Sequence, residues 1–209
     1  MTPAEQLAAG AAALGIDLET PRRDQLLNYL LLITKWNQVH NLTAIRDLPA
    51  MVTLHLLDSL AVLPHLGSPA NLVDVGSGAG LPGVALAIAR PGLPVTVLDA
   101  SHKKATFLEH ARATLGLGGL QVVCERVERW RPSVPFALVI SRAFADLADF
   151  VSLAGHLMAP GGEMLAMKGL HPYEEIARLP ATHRVDRVVP VRVPGLDAER
   201  HLVFLRRAT

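Results

Sequence analysis

The chain is poor in several things at once: one cysteine, four lysines, almost no net charge, and no apolar run approaching the roughly 20 residues of a bilayer span. Each shortage excludes something. Cys124 alone cannot close an internal disulfide, which suits a reducing compartment. A formal charge of +1 gives no global electrostatic bias, so a nucleic-acid partner must be met by a local patch. The opening MTPAEQLAAGAAALG lacks the basic stretch of a secretory signal, so a cytoplasmic location without membrane attachment is expected. No second His or Cys stands at ligand spacing from a first, and no metal is expected. Repeats, low-complexity tracts and long linkers are missing too. Arginine outnumbers lysine, which suits phosphate contacts but reads first as codon bias. What remains is a 209-residue chain, 50% hydrophobic, long enough for one sizeable core.

That chain is organised around Asn71 to Ser101, NLVDVGSGAGLPGVALAIARPGLPVTVLDAS. The apolar run Leu72 to Val75 ends at Gly76 and opens a turn with Gly76, Gly78, Gly80 and Gly83. A helical pattern from about Leu81 to Ala89 is stopped by Pro91-Gly92, and a second apolar run, Pro94 to Leu98, ends on Asp99. Strand, glycine turn, helix, strand and acid make a βαβ unit of the nucleotide-binding kind. Asp99 lies 99 − 76 = 23 residues after the first glycine, where a strand-end carboxylate can accept bonds from both ribose hydroxyls. Two details separate this turn from a dinucleotide site. Leu81 stands where the third glycine or alanine is usual, and Asp74, two residues before Gly76, would repel a pyrophosphate. A cationic donor without phosphate, S-adenosyl-L-methionine, fits both. A tight turn with no ligand is the bland alternative.

Residues 1–66 are expected to be helical. Pro3 begins a first helix to about Leu14, and Pro21 begins a second, with Leu26, Leu27, Leu30, Leu31, Ile33 and Trp36 on its apolar face and an end near His40-Asn41. Asp47 caps a third to about Leu63, striped by Leu54, Leu57, Leu60 and Ala61. On it His55, Asp58 and Ser59 share a face, either as a satisfied hydrogen-bond cluster or plain helix surface, or as part of a site. Beyond Ser101 the pattern predicts a helix from His102 to Leu115, with Lys103 and Lys104 at its start near the expected adenosine. A strand from Leu120 to Cys124 follows, with Val127 and Glu128 just past its carboxyl end, and then a strand from Phe136 to Ile140. Ligands of open α/β sheets bind beyond such ends, so Val127 and Glu128 are candidates for the adenine. Arg142, at the next strand end, is either a surface ion pair or a site residue. A helix from Phe150 to Met158, stopped at Pro160-Gly161-Gly162, precedes a strand from Met164 to Met167 and a helix from Pro172 to Leu179. Val185 to Val193 and His201 to Leu205, joined by a short loop, are expected to pair antiparallel.

Several stretches together resemble the RsmG family (formerly called glucose-inhibited division protein B), bacterial methyltransferases of small-subunit ribosomal RNA. They are KWNQVHNLTAIRD (Lys35 to Asp47), HLLDSL (His55 to Leu60), DVGSGAGLPG (Asp74 to Gly83), VLDA with the following KK, RVE (Arg126 to Glu128), ISRAFADL (Ile140 to Leu147), MKG (Met167 to Gly169) and PGLDAERHL (Pro194 to Leu202). The resemblance implies an α/β class I S-adenosylmethionine-dependent methyltransferase fold, Rossmann-like, with a mostly parallel sheet, an antiparallel terminal strand pair and an N-terminal helical extension. Residues 1–66 would be that extension and residues 67–209 the methyltransferase domain, in one compact unit.

The implied reaction is methyl transfer from S-adenosyl-L-methionine to N7 of a guanine in the decoding-region loop of 16S rRNA, and loss of the family is associated with low-level streptomycin resistance. Asp74, Gly76, Gly78, Gly80 and Leu81 would form the donor turn, with Gly76 and Leu81 at its methionine end, Asp99 at the ribose, and Val127 and Glu128 at the adenine. Arg142 would lie at the donor site facing the RNA, the one residue given a catalytic place. Asn41, Arg46, Lys168, Arg200 and His201 are the candidates for RNA contact. The partner would be 16S rRNA or a small-subunit particle, met by a monomer. A methyltransferase of a small molecule and a non-catalytic RNA-binding assembly factor are the competing classes.

Overall fold

Leu72–Val75 (β1) and Val95–Asp99 (β2) are strands buried along their whole length, as expected of parallel strands covered on both faces. The computed structural model describes residues 1–208. Around these two strands Leu120–Cys124 (β3), Phe136–Ser141 (β4), Met158–Lys168 (β5), His183–Val191 (β6) and Arg200–Arg207 (β7) complete one seven-stranded sheet in the order β3-β2-β1-β4-β5-β7-β6. The first five are mutually parallel, and β7 runs antiparallel to both β5 and β6.

Side chains alternate across the sheet with the period of two that a strand dictates. Leu72, Val95, Val97, Leu138, Ile140 and Phe204 face one core. Val73, Leu98, Val139, Val203 and Leu205 face the other, with Phe150, Val151 and Leu157 of the segment after β4. The first core also takes in the N-terminal helices Pro3–Ala13 (α1) and Thr20–His40 (α2), which pack on the same side as Gly83–Ala89 (α5) and His102–Thr114 (α6). On α2 the buried residues Leu26, Tyr29, Leu30, Ile33 and Asn37 recur at the three-and-four spacing of one helical face.

Local signals explain most boundaries. Thr2 and Glu5 form a reciprocal capping box on α1, α2 ends on Asn41 in the left-handed region, and the Asp47 carboxylate accepts from Ala50 N at 2.9 Å.

The expected third helix begins as Leu48–Met51 (α3), widens into a π-helical turn over Val52–Leu57, and finishes as Asp58–Leu60 (α4). The wider turn shifts the phase of the face. His55, Asp58 and Ser59 are buried together with Leu56, Leu57 and Leu60, whereas Leu54 is only partly so. The stretch Leu48–His65 has the length and apolarity of a membrane-crossing helix, and most of it is buried inside the molecule.

Between β4 and the terminal pair the chain departs from expectation. The helix Leu147–Ala154 (α7) stops short of Met158, and β5 starts there instead of at Met164. Pro160-Gly161-Gly162 does not end a helix. It forms an irregularity in β5 that shifts the register against Phe136 and Leu138. A Cβ on Gly162 would stand 3.0 Å from the carbonyl oxygens of Phe136 and Ala137, so a side chain there would press the strands apart. The last helix, Tyr173–Ala177 (α8), is shorter than the pattern suggested.

Candidate functional site

The turn after β1 is held from beneath. Gly76 N and Ser77 N both donate to Leu98 O, at 2.8 and 3.1 Å, and Gly80 N and Leu81 N donate to Ser77 O, at 2.7 and 3.0 Å. Those bonds carry the turn through Leu81, so α5 begins at Gly83 rather than Leu81. Gly76, Gly78 and Gly80 sit at φ of 69°, 61° and 91°, where a side chain is strained. At Gly76 a Cβ would also meet the Ala143 methyl at 2.9 Å. The Tyr29 hydroxyl of α2 donates to Ala79 O from below. The helical extension thus supports the turn directly, and burial raises the Tyr29 pKa well above its usual value.

Over the carboxyl ends of β1 to β4 lies a cavity of about 240 Å³, lined among others by Gly76, Asp99, Ala100, Val127, Glu128 and Phe144. Four of the sequence candidates, Gly76, Asp99, Val127 and Glu128, therefore share one cavity. Asp99 is 8% exposed. Its Oδ2 accepts from Gly78 N and its Oδ1 from Ser101 N, both at 2.9 Å, and Lys104 Nζ stands 3.4 Å from Oδ2. A carboxylate has about four acceptor positions, so this one keeps capacity for hydroxyls in the cavity. Glu128 is paired with Arg126 at 3.7 Å on the exposed rim. The cavity can take a flat heterocycle at its apolar wall and hydroxyls at its floor.

Asp74 is not on that surface. It is fully buried beneath the turn, its Oδ2 accepting from Gly83 N at 2.8 Å while Oδ1 has no partner. Burial pushes this carboxyl from 3.8 up to about 7, against the Gly83 hydrogen bond and Arg142, which pull it down, and with nearby Asp99 adding to the rise. Gly83 has no room for a side chain, since a Cβ there would lie 2.6 Å from Val97 Cγ1 and 2.9 Å from Asp74. Asp74 thus locks the start of α5 to β1. Gly78, Gly80 and Leu81 likewise build the turn without lining the cavity.

Arg142 lines a neighbouring cavity of about 410 Å³ with Asp58, His55, Lys168 and Arg200. Its Nη1 donates to Asp58 Oδ2 at 3.1 Å and to Leu54 O at 3.2 Å, while Arg200 Nε donates to Asp58 Oδ1 at 2.7 Å. One carboxylate, 4% exposed, thus holds two guanidinium groups that are each about a quarter to a third exposed. His55 Nε2 meets Thr43 Oγ1 at 3.0 Å, and burial lowers the His55 pKa, with the charge on Arg142 acting in the same direction. The ring is therefore neutral at physiological pH.

Of the remaining candidates, Asn41 and Arg46 are exposed and line neither cavity, although Ile45, next to Arg46, lines the second. Lys168 is engaged: its Nζ meets Glu175 Oε2 at 2.7 Å and donates to Phe144 O at 3.2 Å and Ala145 O at 2.9 Å. It ties down the loop after Arg142. His201 is 9% exposed and meets Gly169 O through Nδ1 at 2.8 Å. The residue that the sequence underweighted is Asp58. Its spacing with His55 and Ser59 was visible, but its two arginine partners lie 84 and 142 residues away.

Comparison with known proteins is consistent across methods. A family model described as rRNA small subunit methyltransferase G matches residues 22–203. Curated relatives called ribosomal RNA small subunit methyltransferase G are 54% identical in Nitrosospira multiformis, covering 100% of this chain and 99% of the relative, and 53% identical in Chromobacterium violaceum, covering 95% of each. A third, from Burkholderia pseudomallei, is 56% identical over 94% of this chain and 88% of its own. Among solved structures, the glycopeptide N-methyltransferase MtfA complexed with (S)-adenosyl-L-methionine aligns with a TM-score of 0.62 at 11% identity, over 75% of this chain and 88% of that one. TrmN from Thermus thermophilus aligns at 0.58 and 17%, over 75% and 53%. At those identities the structures attest the fold, which is that of S-adenosylmethionine-dependent methyltransferases.

Proposed function

The chain belongs to the rRNA small subunit methyltransferase G family, and from that premise we propose that it transfers a methyl group from S-adenosyl-L-methionine to N7 of a guanine in the decoding-region loop of 16S rRNA. The observation that carries the reading is the adjacency of two cavities on the carboxyl edge of the sheet. One has a glycine floor and an acid, and the other has a clamped pair of arginines.

The first cavity fits the donor. Gly76 leaves space that a Cβ would fill, Asp99 retains acceptor capacity for ribose hydroxyls, and Val127 and Glu128 stand where an adenine edge would be met. No phosphate-binding array of free amides is present at the turn, because the amides of Gly76, Ser77, Gly78, Gly80 and Leu81 are all engaged within the protein. That suits a ligand without a pyrophosphate. When bound, the donor supplies an electrophilic methyl group on a sulfonium.

Guanine N7 carries an in-plane lone pair and no proton, so attack needs no general base. The neutral, buried His55 is in keeping with that. What the protein must supply is alignment, which can remove roughly 7–11 kcal/mol of a barrier at best. Arg142 is the residue placed to help: Asp58 and Leu54 O fix its guanidinium, and its remaining N–H donors, without partners among the described residues, can face the RNA. Asp58 and Arg200 are positioning residues for it. In A-form RNA the deep, narrow major groove hides N7, so the target must be splayed from a loop.

The test is transfer of labelled methyl from the donor to small-subunit RNA, protein-free and in isolated subunits, with the modified base mapped. Label at N7 of a decoding-loop guanine is expected. Donor binding with no RNA labelling would move the acceptor to another class of molecule.

A further inference from the structure

Beside the arginine pocket is a cleft of about 1050 Å³ that the methyl-transfer chemistry leaves unused. Its walls come from the turn after β5, with Leu170, His171 and Tyr173, and from the β6–β7 connection and its flanks, with Arg192, Arg200 and His201. In a chain of 4% aromatic residues, Tyr173 is spent on the surface at 73% exposure, next to Leu170 at 74%. Its ring is not loose. It stacks on His171 with centroids 3.8 Å apart and planes at 26°. His171 meets His201 edge-on at 5.4 Å, and His201 is tied to Gly169 O. One face of the Tyr173 ring is thus backed by a fixed aromatic column while the residue stays open to solvent.

The position of the cleft says what would reach it. Lys168 at the end of β5 pairs with His201 at the start of β7. The cleft therefore opens on the carboxyl edge of the parallel strands, the edge that carries both cavities of the site. Arg200 lines this cleft and the Arg142 pocket alike, so the two are adjacent, with that side chain between them.

Its charge says what fits. Arg192 has no ion pair among the described residues, and Asp197 and Glu199 on the same wall have none either. Charges of both signs disfavour a phosphate backbone threading the cleft. They favour a flat, neutral group with donors and acceptors at its edge, as a nucleobase has. Concavity and the adjacent arginine pocket favour RNA over a protein surface, which would ask for a flatter face.

We propose that this cleft holds one unpaired base of the substrate RNA, a nucleotide flanking the methylated guanine, stacked on the open face of Tyr173 with its edge toward the polar wall of Arg192, Asp197 and Glu199. The inference rests on the functional reading above and adds a second grip on the same strand. A near-neutral chain would then gain RNA register from stacking rather than from charge.

The test uses the full chain and whichever RNA substrate the wild type methylates, with Tyr173→Ala, Tyr173→Phe and Tyr173→Trp. Stacking on an aromatic ring predicts a KM for RNA raised about 5- to 100-fold by Tyr173→Ala, with Phe and Trp close to wild type. The kcat at saturating RNA and the donor affinity should not move. A 5-iodouridine-substituted RNA should give a photoadduct in the Leu170–Tyr173 peptide. An unchanged KM in Tyr173→Ala, a loss that Phe and Trp fail to rescue, or no adduct in that peptide from 5-iodouridine placed at either nucleotide flanking the target guanine would each overturn the cleft assignment. A wild type that binds donor but methylates neither form of the RNA would overturn the functional reading itself, a result distinct from these.

Discussion

Asp74 makes stability respond to pH in a way that one substitution should abolish. In the unfolded chain its carboxyl ionises around 3.8, whereas burial delays this to about 7 in the folded protein. Between those values the unfolded state has released a proton that the folded state retains. Stability therefore falls as pH rises through this window, by about 1.4 kcal/mol per unit, and the full loss is reached only above pH 7. The span of 7 − 3.8 = 3.2 units corresponds to roughly 4 kcal/mol. Asp74→Asn cannot titrate, yet it keeps an oxygen for the Gly83 N–H. Its new amide group replaces the oxygen that has no partner, a fixed offset that does not vary with pH. Urea unfolding of both proteins from pH 4 to pH 8 should show the variant gaining on the wild type by up to about 4 kcal/mol across the range. Every other titrating group is common to both, so the difference isolates this carboxyl. Parallel stability curves would refute the account of a desolvated acid beneath the turn.

Three further outcomes follow from the same geometry. Gly76→Val combines a left-handed φ of 69° with a Cβ only 2.9 Å from Ala143, so donor binding measured by calorimetry should be lost, and normal affinity would refute the close approach. Asp99→Ala should weaken donor binding and also lower stability by about 1–3 kcal/mol, because it orphans the amides of Gly78 and Ser101, whereas Asp99→Asn should retain most of the stability; equal melting temperatures for wild type and Ala would contradict this. Asp58→Ala frees two guanidinium groups at once. Removing one partner of a buried pair costs about 3–5 kcal/mol, but the partial exposure of both arginines should reduce this to about 1–3, with kcat/KM falling sharply; full activity would sink the positioning role of Asp58.

That four of the expected residues would share one cavity was legible because its determinants are local. Gly76, Asp99, Val127 and Glu128 each follow a strand end, and parallel strands bring such ends to one edge. Asp99 was legible as a strand-end acid but not as a structural one: its bonds to Gly78 N and Ser101 N depend on how the turn folds back. The arginine clamp was not legible. Asp58 meets Arg142 and Arg200 only after the π-helical turn has rotated it inward, and nothing in local spacing announces a π turn. Pro160-Gly161-Gly162 misled for a related reason, since the same residues that break a helix also permit an irregular strand.

The bond from Tyr29 to Ala79 O has a consequence for how the chain is made. During synthesis Tyr29 is added 50 residues before its partner exists, the interval 79 − 29 = 50 in the sequence. At about 5–20 residues per second that is roughly 3–10 s in which Leu26, Tyr29, Leu30 and Ile33 have no sheet-side surface to cover them. The glycine turn, for its part, lacks its support from Tyr29 unless those early residues are already helical. A fragment that starts at the first strand should therefore be a poor folder rather than a minimal enzyme, and the nascent chain passes through a stage in which it needs shielding by the translation machinery whose RNA it goes on to modify.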